Sequence, residues 1–228
     1  LVITCVTVLT AQTGKQKSDR PNILYIMSDD HGYQAVSAYG YEGLNQTPNI
    51  DRIAKNGAIF SRAFVTNSLC APSRAVMLTG KHSFVNGKVD NVQKFNWDQE
   101  SFPKLLQKNG YQTALIGKIH LDGLPTGFDY SAVLPGQGNY YNPDFVINGK
   151  PQQLHGYVTE ITTDLALNWL KNRDMDKPFC LLYHQKAPHR EWLPAPKYYE
   201  QYTKMKFAEP ETLFDDYSGR GTAAKTAE

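Results

Sequence analysis

Apolar runs that alternate with helical patterns limit the fold of this chain more than any other feature. Four runs rich in aliphatic and aromatic side chains are predicted strands. They are residues 22–27, 58–65, 111–116 and 178–184. The segments between them have helical spacing, and two of them begin with Thr or Ser and end with Gly. They are residues 47–57, 73–78, 101–110 and 159–172. This alternation predicts an α/β fold with a mixed, mainly parallel sheet sandwiched by helices. Residues 123–157 are rich in Gly, Pro, Asn and Tyr and are predicted to form an ordered surface excursion.

Clusters of polar residues follow the predicted strands. They are residues 28–32, 67–74, 117–120 and 185–190. In a parallel sheet, the loops beyond the carboxyl ends of the strands carry the chemistry. We therefore expect the four clusters to converge on one edge of the sheet.

The charge balance and the cysteine content narrow the possible partners and cross-links. The chain has 24 basic and 22 acidic residues and a net charge of +2. It therefore lacks the broad basic face that is typical of nucleic-acid binding, and no nucleic-acid partner is expected.

Three Cys residues do not make a disulfide framework. Cys180 lies in an apolar run and is predicted to be a buried thiol.

Residues 1–19 are predicted to be a partial signal peptide with a short leader. The apolar run 1–9 is followed by small residues, as in the second half of a secretory signal. The alternative is a buried first strand. The run is shorter than the roughly 20 apolar residues of a membrane-spanning helix, so no transmembrane segment is expected. These features predict a secreted or periplasmic protein, with residues 20–228 as one domain.

Five residues in the polar clusters are candidate site residues, and each has an ordinary alternative. The adjacent carboxylates Asp29 and Asp30 suit Ca²⁺ or Mg²⁺ better than zinc, but such pairs are also common in solvated turns. Lys118 and His120 lie two residues apart, so an extended segment would point both toward an anion. A solvent-facing loop explains them equally well. His189 follows a Pro that restricts the backbone, and it is equally consistent with an ordinary loop histidine.

The segment from Cys70 to Gly80 favours the functional interpretation of these residues over the ordinary one. It resembles the pattern of the type I, formylglycine-dependent sulfatase family, Cys-x-Pro-Ser-Arg followed by x-x-x-x-Thr-Gly. The matching residues are Cys70, Pro72, Ser73, Arg74, Thr79 and Gly80. They stand in the family's order with Asp29-Asp30, Gly117-Lys-x-His120 and Pro188-His189. The resemblance covers about residue 20 to the end and implies an alkaline-phosphatase-like fold.

The resemblance also implies a modified catalytic residue and a metal ion. In this family a formylglycine-generating or sulfatase-maturing enzyme oxidises the motif Cys to Cα-formylglycine. The hydrate of this aldehyde supplies the nucleophilic oxygen, and its second hydroxyl later expels sulfate, which a Ser could not do. Cys70 would be this residue. Asp29 and Asp30 resemble the family's calcium ligands, with the formylglycine at position 70 as a further ligand.

A role follows from the resemblance for each of the other candidates. Arg74 and Lys118 would hold the formylglycine and the sulfate oxygens, supplying charge where charge develops. His120 would accept the proton of the formylglycine hydroxyl. His189 would contact the sulfate ester and help to protonate the leaving alcohol.

One part of the family pattern is missing. The family completes its metal site with an Asp-Asn pair well downstream of the position of His189, followed by a further Lys. Asp215-Asp216 lacks the Asn, and Asp90-Asn91 lies too early in the chain. Residues 20–228 are therefore expected to be a truncated N-terminal sulfatase catalytic domain that lacks the C-terminal part of the sheet.

Three further stretches indicate a substrate class. They are residues 136–143, 156–159 and 186–192. They resemble the N-acetylglucosamine-6-sulfatase-like branch, whose members remove 6-O-sulfate from glycosaminoglycan or mucin-type sugars. A sulfated carbohydrate is thus the expected partner. Tyr140, Tyr141 and Trp192 are candidates for stacking on sugar rings, although core or loop packing explains them equally well.

Two other functions remain open at this point. One is a phosphatase or phosphodiesterase of the same superfamily, but such relatives carry a Ser or Thr nucleophile and usually zinc ligands. The Cys-x-Pro-Ser-Arg pattern argues against it. The other is an inactive fragment that binds a sulfated glycan, which the missing Asp-Asn pair favours.

Overall fold

The computed structural model describes residues 20–41 and 45–226, so the predicted signal peptide and leader at residues 1–19 lie outside the described residues. The strands are β1 (Ile23–Met27), β2 (Gln112–Lys118), β3 (Tyr130–Leu134), β4 (Asp144–Ile147), β5 (Lys150–Gln153) and β6 (Phe179–His184). The helices are α1 (Pro48–Asn56), α2 (Cys70–Thr79), α3 (Ser83–Asn86), α4 (Phe102–Lys108), α5 (Val158–Asn172), α6 (Pro196–Thr203) and α7 (Thr222–Lys225). Two 3₁₀ turns cover Tyr33–Ala35 and Ser37–Tyr39. The described residues form two compact units. The first unit contains residues 20–29 and 65–187, and the second contains residues 30–41, 45–64 and 188–226.

The first unit contains a six-stranded sheet in the order β1-β6-β2-β3-β4-β5. The first four strands in this order run parallel, and β4 and β5 are added antiparallel at one edge. The predicted mixed, mainly parallel sheet is therefore confirmed. His184 pairs with Met27 on one side and with Gly117 on the other. Three neighbouring strands thus end at the same edge, where three of the predicted polar clusters begin.

Helices cover both faces of this sheet, because successive residues of a strand point to opposite sides. Leu115 packs on one face with Ala71 and Leu78 of α2. Its neighbour Ile116 packs on the other face with Ala166 of α5. All five side chains are at most 5% exposed, so the predicted sandwich of helices around the sheet is confirmed in this unit.

Cys180 lies in the middle of this core. It is fully buried in β6, and burial raises the pKa of its thiol to about 11. The thiol is therefore uncharged and unreactive at neutral pH, as the prediction of a structural cysteine requires.

The prediction of a strand at residues 58–65 is wrong. The segment has no strand conformation, and no described strand pairs with it. Phe60 and Phe64 are 75% and 90% exposed. An apolar pattern does not form a strand where no neighbouring strand accepts its backbone hydrogen bonds.

The prediction of a surface excursion at residues 123–157 is also wrong, because the segment contains β3, β4 and β5. Four of the five residues of β3 are buried. The strands β4 and β5 form a hairpin through the two-residue turn Asn148-Gly149, where φ is +47° and +81°. Asn-Gly is the typical sequence of such a turn. It is a local signal that the overall abundance of Gly, Pro and Asn conceals.

In the second unit, Asp51 connects α1 to the 3₁₀ turn at Ser37–Tyr39. Its carboxylate accepts hydrogen bonds from Ser37 Oγ at 2.6 Å, Ala38 N at 2.9 Å and Thr47 Oγ1 at 2.8 Å. The bond from Ser37 is the main reason that the pKa of Asp51 is lowered. Thr47 precedes the helix as predicted, but its side chain caps no backbone N–H of the helix. Its hydroxyl donates to Asp51 and accepts from the backbone N–H of Ser37.

The longest described helix, α5, has 15 residues, whereas a bilayer requires roughly 20. Within residues 20–41 and 45–226, no helix is long and apolar enough to cross a membrane.

Candidate active site

The motif cysteine occupies the start of a helix. Cys70 is the first residue of α2 and is partly exposed. Arg74 lies four residues later and therefore projects from the same face of the helix, one turn further on. The N–H of Ala71, one of the helix-start groups without an intrahelical acceptor, donates to Asn91 Oδ1 at 3.1 Å. The beginning of α2 is thus anchored beside the cysteine.

Arg74 is buried and is held at the carboxyl edge of the sheet. Its side chain is 2% exposed. Nη2 donates to Asp29 Oδ1 at 3.0 Å, and Nη1 donates to the carbonyl oxygen of Lys118 at 2.5 Å. A buried guanidinium is tolerated only when it is paired and hydrogen-bonded in this way. The contacts therefore fix Arg74 between the ends of β1 and β2.

Lys118 is the last residue of β2 and is fully buried. Its ammonium donates to Asp29 Oδ2 and to Gln137 Oε1. Burial alone would raise the pKa of Asp29, but the charge of Arg74 and the hydrogen bond and charge of Lys118 outweigh it and lower that pKa. Asp29 is therefore ionised, and two cations surround one carboxylate. The cluster carries a net positive charge that suits an anionic ligand.

His120 lies just beyond Lys118. Its backbone has φ +52°, so the segment from Lys118 to His120 is not extended throughout, which is the condition for both side chains to point the same way. Lys118 belongs to the strand, and the chain turns after it. Burial, followed by the charges of Lys118 and Arg74, lowers the pKa of His120 to about 4. Its Nδ1 is buried and has no hydrogen-bond partner within the described residues. His120 is therefore a neutral base at pH 7.

A cavity of about 310 Å³ lies beside His120 at the ends of β2 and β3. His120 and Asp122 supply its polar lining, and residues such as Leu134 and Val146 supply an apolar wall. A cavity with a few polar groups in an apolar wall is the usual form of a small-molecule site.

Asp30 and His189 belong to the second unit, where the structure brings them together. His189 Nε2 lies 3.6 Å from Asp30 Oδ2. The His189 side chain is 8% exposed and the Asp30 side chain 61%. Asp30 has φ +57°, a conformation that Asp adopts more readily than most residues.

The three aromatic residues that were predicted to stack on sugar rings differ in their exposure to solvent. Tyr140 is 3% exposed and belongs to the core around α5, with Lys186 Nζ 4.7 Å from the centre of its ring. It packs inside the protein and is not available for stacking on a sugar. Tyr141 and Trp192 are 40% and 72% exposed.

Two residues of the cluster are absent from the sequence-based prediction. Gln137 follows β3 and accepts a hydrogen bond from Lys118. His184 ends β6 and lies against Arg74 and the backbone of Lys118. Gln137 stands in a turn-rich stretch, and His184 at the end of an apolar run. Neither position has a local pattern that would reveal its contacts.

The described residues do not by themselves form a complete metal cage. Within residues 20–41 and 45–226, no group of three or more His, Cys, Asp and Glu side chains is placed to hold a metal ion. Asp29 contributes an ionised carboxylate, and its two oxygens bond to Arg74 and Lys118.

Fold and site together define an α/β protein with a buried cationic cluster at the carboxyl edge of its sheet. The sulfatase family profile matches residues 21–219, and the chain belongs to the sulfatase family.

Individual relatives agree with this membership. The chain is 54% identical over 218 residues to an N-acetylglucosamine-6-O-sulfatase of Bacteroides thetaiotaomicron, which covers 94% of this chain and 39% of the relative. It is 30% identical over 212 residues to a human N-acetylglucosamine-6-sulfatase, which covers 82% of this chain and 37% of the relative. The chain thus spans less than half the length of these relatives.

A solved structure confirms the alkaline-phosphatase-like fold. It matches this chain with a TM-score of 0.89 and 55% identity, over 91% of this chain and 42% of the other. That protein was solved in complex with its substrate D-glucosamine-2-N,6-O-disulfate.

Proposed function

We propose that the protein is a sulfuric ester hydrolase that removes sulfate from a sulfated sugar, with 6-O-sulfated N-acetylglucosamine of glycosaminoglycan or mucin glycans as the substrate class. The observation that carries the proposal is the placement of the motif. Cys70 opens α2, and Arg74, one turn later, is buried against Asp29 and the backbone of Lys118. The names of the relatives support the choice of sulfate and of the sugar.

Arg74 and Lys118 are the proposed sulfate-binding cations. A guanidinium has five N–H donors and an ammonium three, so the hydrogen bonds described above leave donors on both for sulfate oxygens. Because both side chains are buried, their charges are screened less than surface charges. They are also held in place before substrate arrives, which is the condition for effective stabilisation of developing negative charge.

Position 70 is the proposed nucleophile after oxidation of Cys70 to Cα-formylglycine by a formylglycine-generating or sulfatase-maturing enzyme. The match to Cys-x-Pro-Ser-Arg supports this assignment. The hydrated aldehyde supplies an oxygen that attacks sulfur and a second hydroxyl that releases the sulfate. The first turn of α2 has N–H groups without helical acceptors, and this positive end favours an oxygen that becomes negative.

The donor chemistry at Asp29 fits calcium, which prefers carboxylate oxygens. Calcium takes about six to eight oxygen ligands, so Asp29 is one ligand of a larger set. Asp30 and position 70 are assigned to that set on their match to the family pattern alone. Bound calcium would make an attached hydroxyl more acidic and stabilise negative charge.

The two histidines have separate proposed roles. His120 is neutral at pH 7 because burial and nearby cations lower its pKa to about 4. It can therefore accept the proton of the formylglycine hydroxyl. His189 is proposed to contact the sulfate ester and to help protonate the leaving alcohol, and its near-complete burial next to Asp30 restricts its orientation.

Export follows from the proposed substrate, since sulfated glycans of this class lie outside the cytoplasm. We propose that the protein is secreted or periplasmic, as the apolar start of the sequence also predicts.

The test is sulfate release by the full-length protein, produced together with a maturing enzyme and supplied with calcium. We expect release from 6-O-sulfated N-acetylglucosamine and its loss in Cys70→Ala. Cys180→Ala is the matched control, since Cys180 is buried in β6 and belongs to no part of the proposed site. Unchanged activity in Cys70→Ala, or hydrolysis of phosphate esters in place of sulfate esters, would refute the proposal.

A further inference from the structure

His184 is a buried titratable residue for which the proposed mechanism has no role. It is the last residue of β6 and is 0% exposed. It pairs with Met27 and Gly117, so it lies between the ends of β1 and β2. A hydrophobic residue would fill this position at a lower cost in desolvation. The presence of a histidine here therefore needs a reason.

Only one of its ring nitrogens has polar neighbours. Nδ1 lies 3.1 Å from the carbonyl oxygen of Lys118 and 3.3 Å from Arg74 Nη1. Nε2 is buried and has no hydrogen-bond partner within the described residues. The ring meets Tyr25 edge-on, with the two ring centres 5.8 Å apart.

These contacts distinguish the two neutral tautomers. With the proton on Nε2, Nδ1 could accept a hydrogen bond from Arg74 Nη1, but the ring would bury an unpaired N–H and turn the lone pair of Nδ1 toward the Lys118 oxygen. With the proton on Nδ1, the ring donates to that oxygen, and only a lone pair at Nε2 stays unpaired. An unpaired buried donor is the rarer and costlier of the two. Burial and the charge of Arg74 also lower the pKa of His184 to about 3, so the ring is neutral.

We propose that His184 is a positioning residue whose Nδ1–H donates to the carbonyl oxygen of Lys118 and thereby fixes Arg74 and Lys118 for binding the sulfate group. This inference rests on the proposed function for the identity of the anion.

The hydrogen-bond capacity of the Lys118 oxygen supports the role. A carbonyl oxygen has two lone pairs, and here one accepts from Arg74 Nη1 and the other from His184 Nδ1. His184 therefore fixes the carbonyl oxygen that accepts the hydrogen bond from Arg74. Without its donor, the end of β2 loses one of the bonds that fix it, and the guanidinium gains room to turn away from Asp29.

Two amide substitutions separate this role from simple packing. In Asn, the side-chain N–H can occupy the place of Nδ1–H, whereas in Gln it reaches the place of Nε2. We expect His184→Asn to retain the wild-type affinity for inorganic sulfate within about threefold. We expect His184→Gln to bind it about tenfold or more weakly, because the carbonyl oxygen of Lys118 loses a buried donor. Thermal unfolding of both variants shows whether each is folded.

The tautomer is measured directly on the wild-type protein. With ¹⁵N-labelled histidine, long-range ¹H–¹⁵N spectra should give a protonated, pyrrole-type shift for Nδ1 of His184 and an unprotonated, pyridine-type shift for Nε2. The reverse pattern, or a doubly protonated ring at pH 7, would overturn the proposal. Equal sulfate affinities of the Asn and Gln variants would overturn it as well.

These readouts are independent of catalysis. A wild-type protein that shows the Nδ1–H tautomer and the expected ranking of sulfate affinities, but does not cleave sulfate esters, would refute the proposed function and leave the role of His184 standing. Sulfatase activity together with an Nε2–H tautomer would refute the role of His184 and leave the proposed function standing.

Discussion

At the scale of single residues, the cluster around Asp29 keeps positive charge where an apolar core would be more stable. Burying an ion costs several kcal/mol, which a salt bridge offsets only with good geometry and further hydrogen bonds. Arg74 and Lys118 meet that condition through Asp29, Gln137 and the Lys118 carbonyl. The arrangement is thus better explained by the binding of an anion than by stability.

The proposed acid role of His189 leads to a prediction about substrates. A sugar C6 alcohol is a poor leaving group, whereas a phenolate leaves without a proton. General acid catalysis contributes about 10²–10⁴-fold, so His189→Ala in the full-length protein should lose about this factor in kcat/KM on a 6-sulfated sugar. The loss on an aryl sulfate should be clearly smaller.

Cys70→Ala is the reference for that comparison, because it should abolish both reactions equally. Equal losses for His189→Ala on the two substrates would instead identify His189 as a sulfate-binding residue.

At the scale of elements, the site depends on the close contact between β2 and β6. Gly117 has φ +106°, and a Cβ at this position would lie 1.8 Å from the carbonyl oxygen of His184. No side chain fits between the two strands here. Glycine is therefore required immediately before Lys118.

Gly117→Ala should consequently separate the two strands. We expect it to lower the free energy of unfolding by at least about 2 kcal/mol, measured by urea denaturation. The control is Gly221→Ala, which has φ −67° and no atom within 4 Å of the added Cβ. It precedes the four-residue helix α7 as its N-cap, so the substitution should change stability by less than about 1 kcal/mol. Similar effects of the two substitutions would show that the strands do not approach as described.

The sequence predicts some of these elements and misses others for identifiable reasons. The strands β1, β2 and β6 are continuous apolar runs and are found where expected. The strands β2 and β6 are buried, as such runs are in a parallel sheet, whereas β1 lies at the edge with Leu24 and Ile26 about half exposed. The hairpin of β4 and β5 has short strands with exposed residues, and its signal is confined to Asn148-Gly149. Residues 58–65 have the composition of a strand, but pairing depends on a partner that local sequence does not reveal.

The same distinction applies to the site. The motif pattern leads to Asp29, Arg74 and Lys118, because these positions match a family arrangement, and the structure brings the three into contact. His184 has no motif. Its contacts depend on the register between β6 and β2, which is a property of the folded sheet.

At the scale of the whole molecule, the two neutral histidines make stability depend on pH. The folded pKa values of His120 and His184 are about 4 and 3, whereas an unfolded histidine has a pKa of about 6.5. Between these values the unfolded chain binds protons that the folded chain does not, so stability is retained above about pH 6.5 and falls as the pH decreases.

We therefore expect the wild-type protein to lose stability between pH 7 and pH 5, measured by thermal or urea unfolding at a series of pH values. His184→Asn removes one of the two groups, and its loss over this range should be smaller by roughly 1–2 kcal/mol. Parallel pH profiles for the two proteins would show that folding does not lower the pKa of His184.

Sulfatase activity in the proposed mechanism depends on a formylglycine at position 70. The most direct measurement is the mass of the proteolytic peptide that contains Cys70, from protein produced in a host with a formylglycine-generating enzyme. We expect a mass lower than that of the thiol form by the conversion of the side chain to an aldehyde. A peptide found only as the unmodified thiol, in a host that converts a control sulfatase, would contradict it.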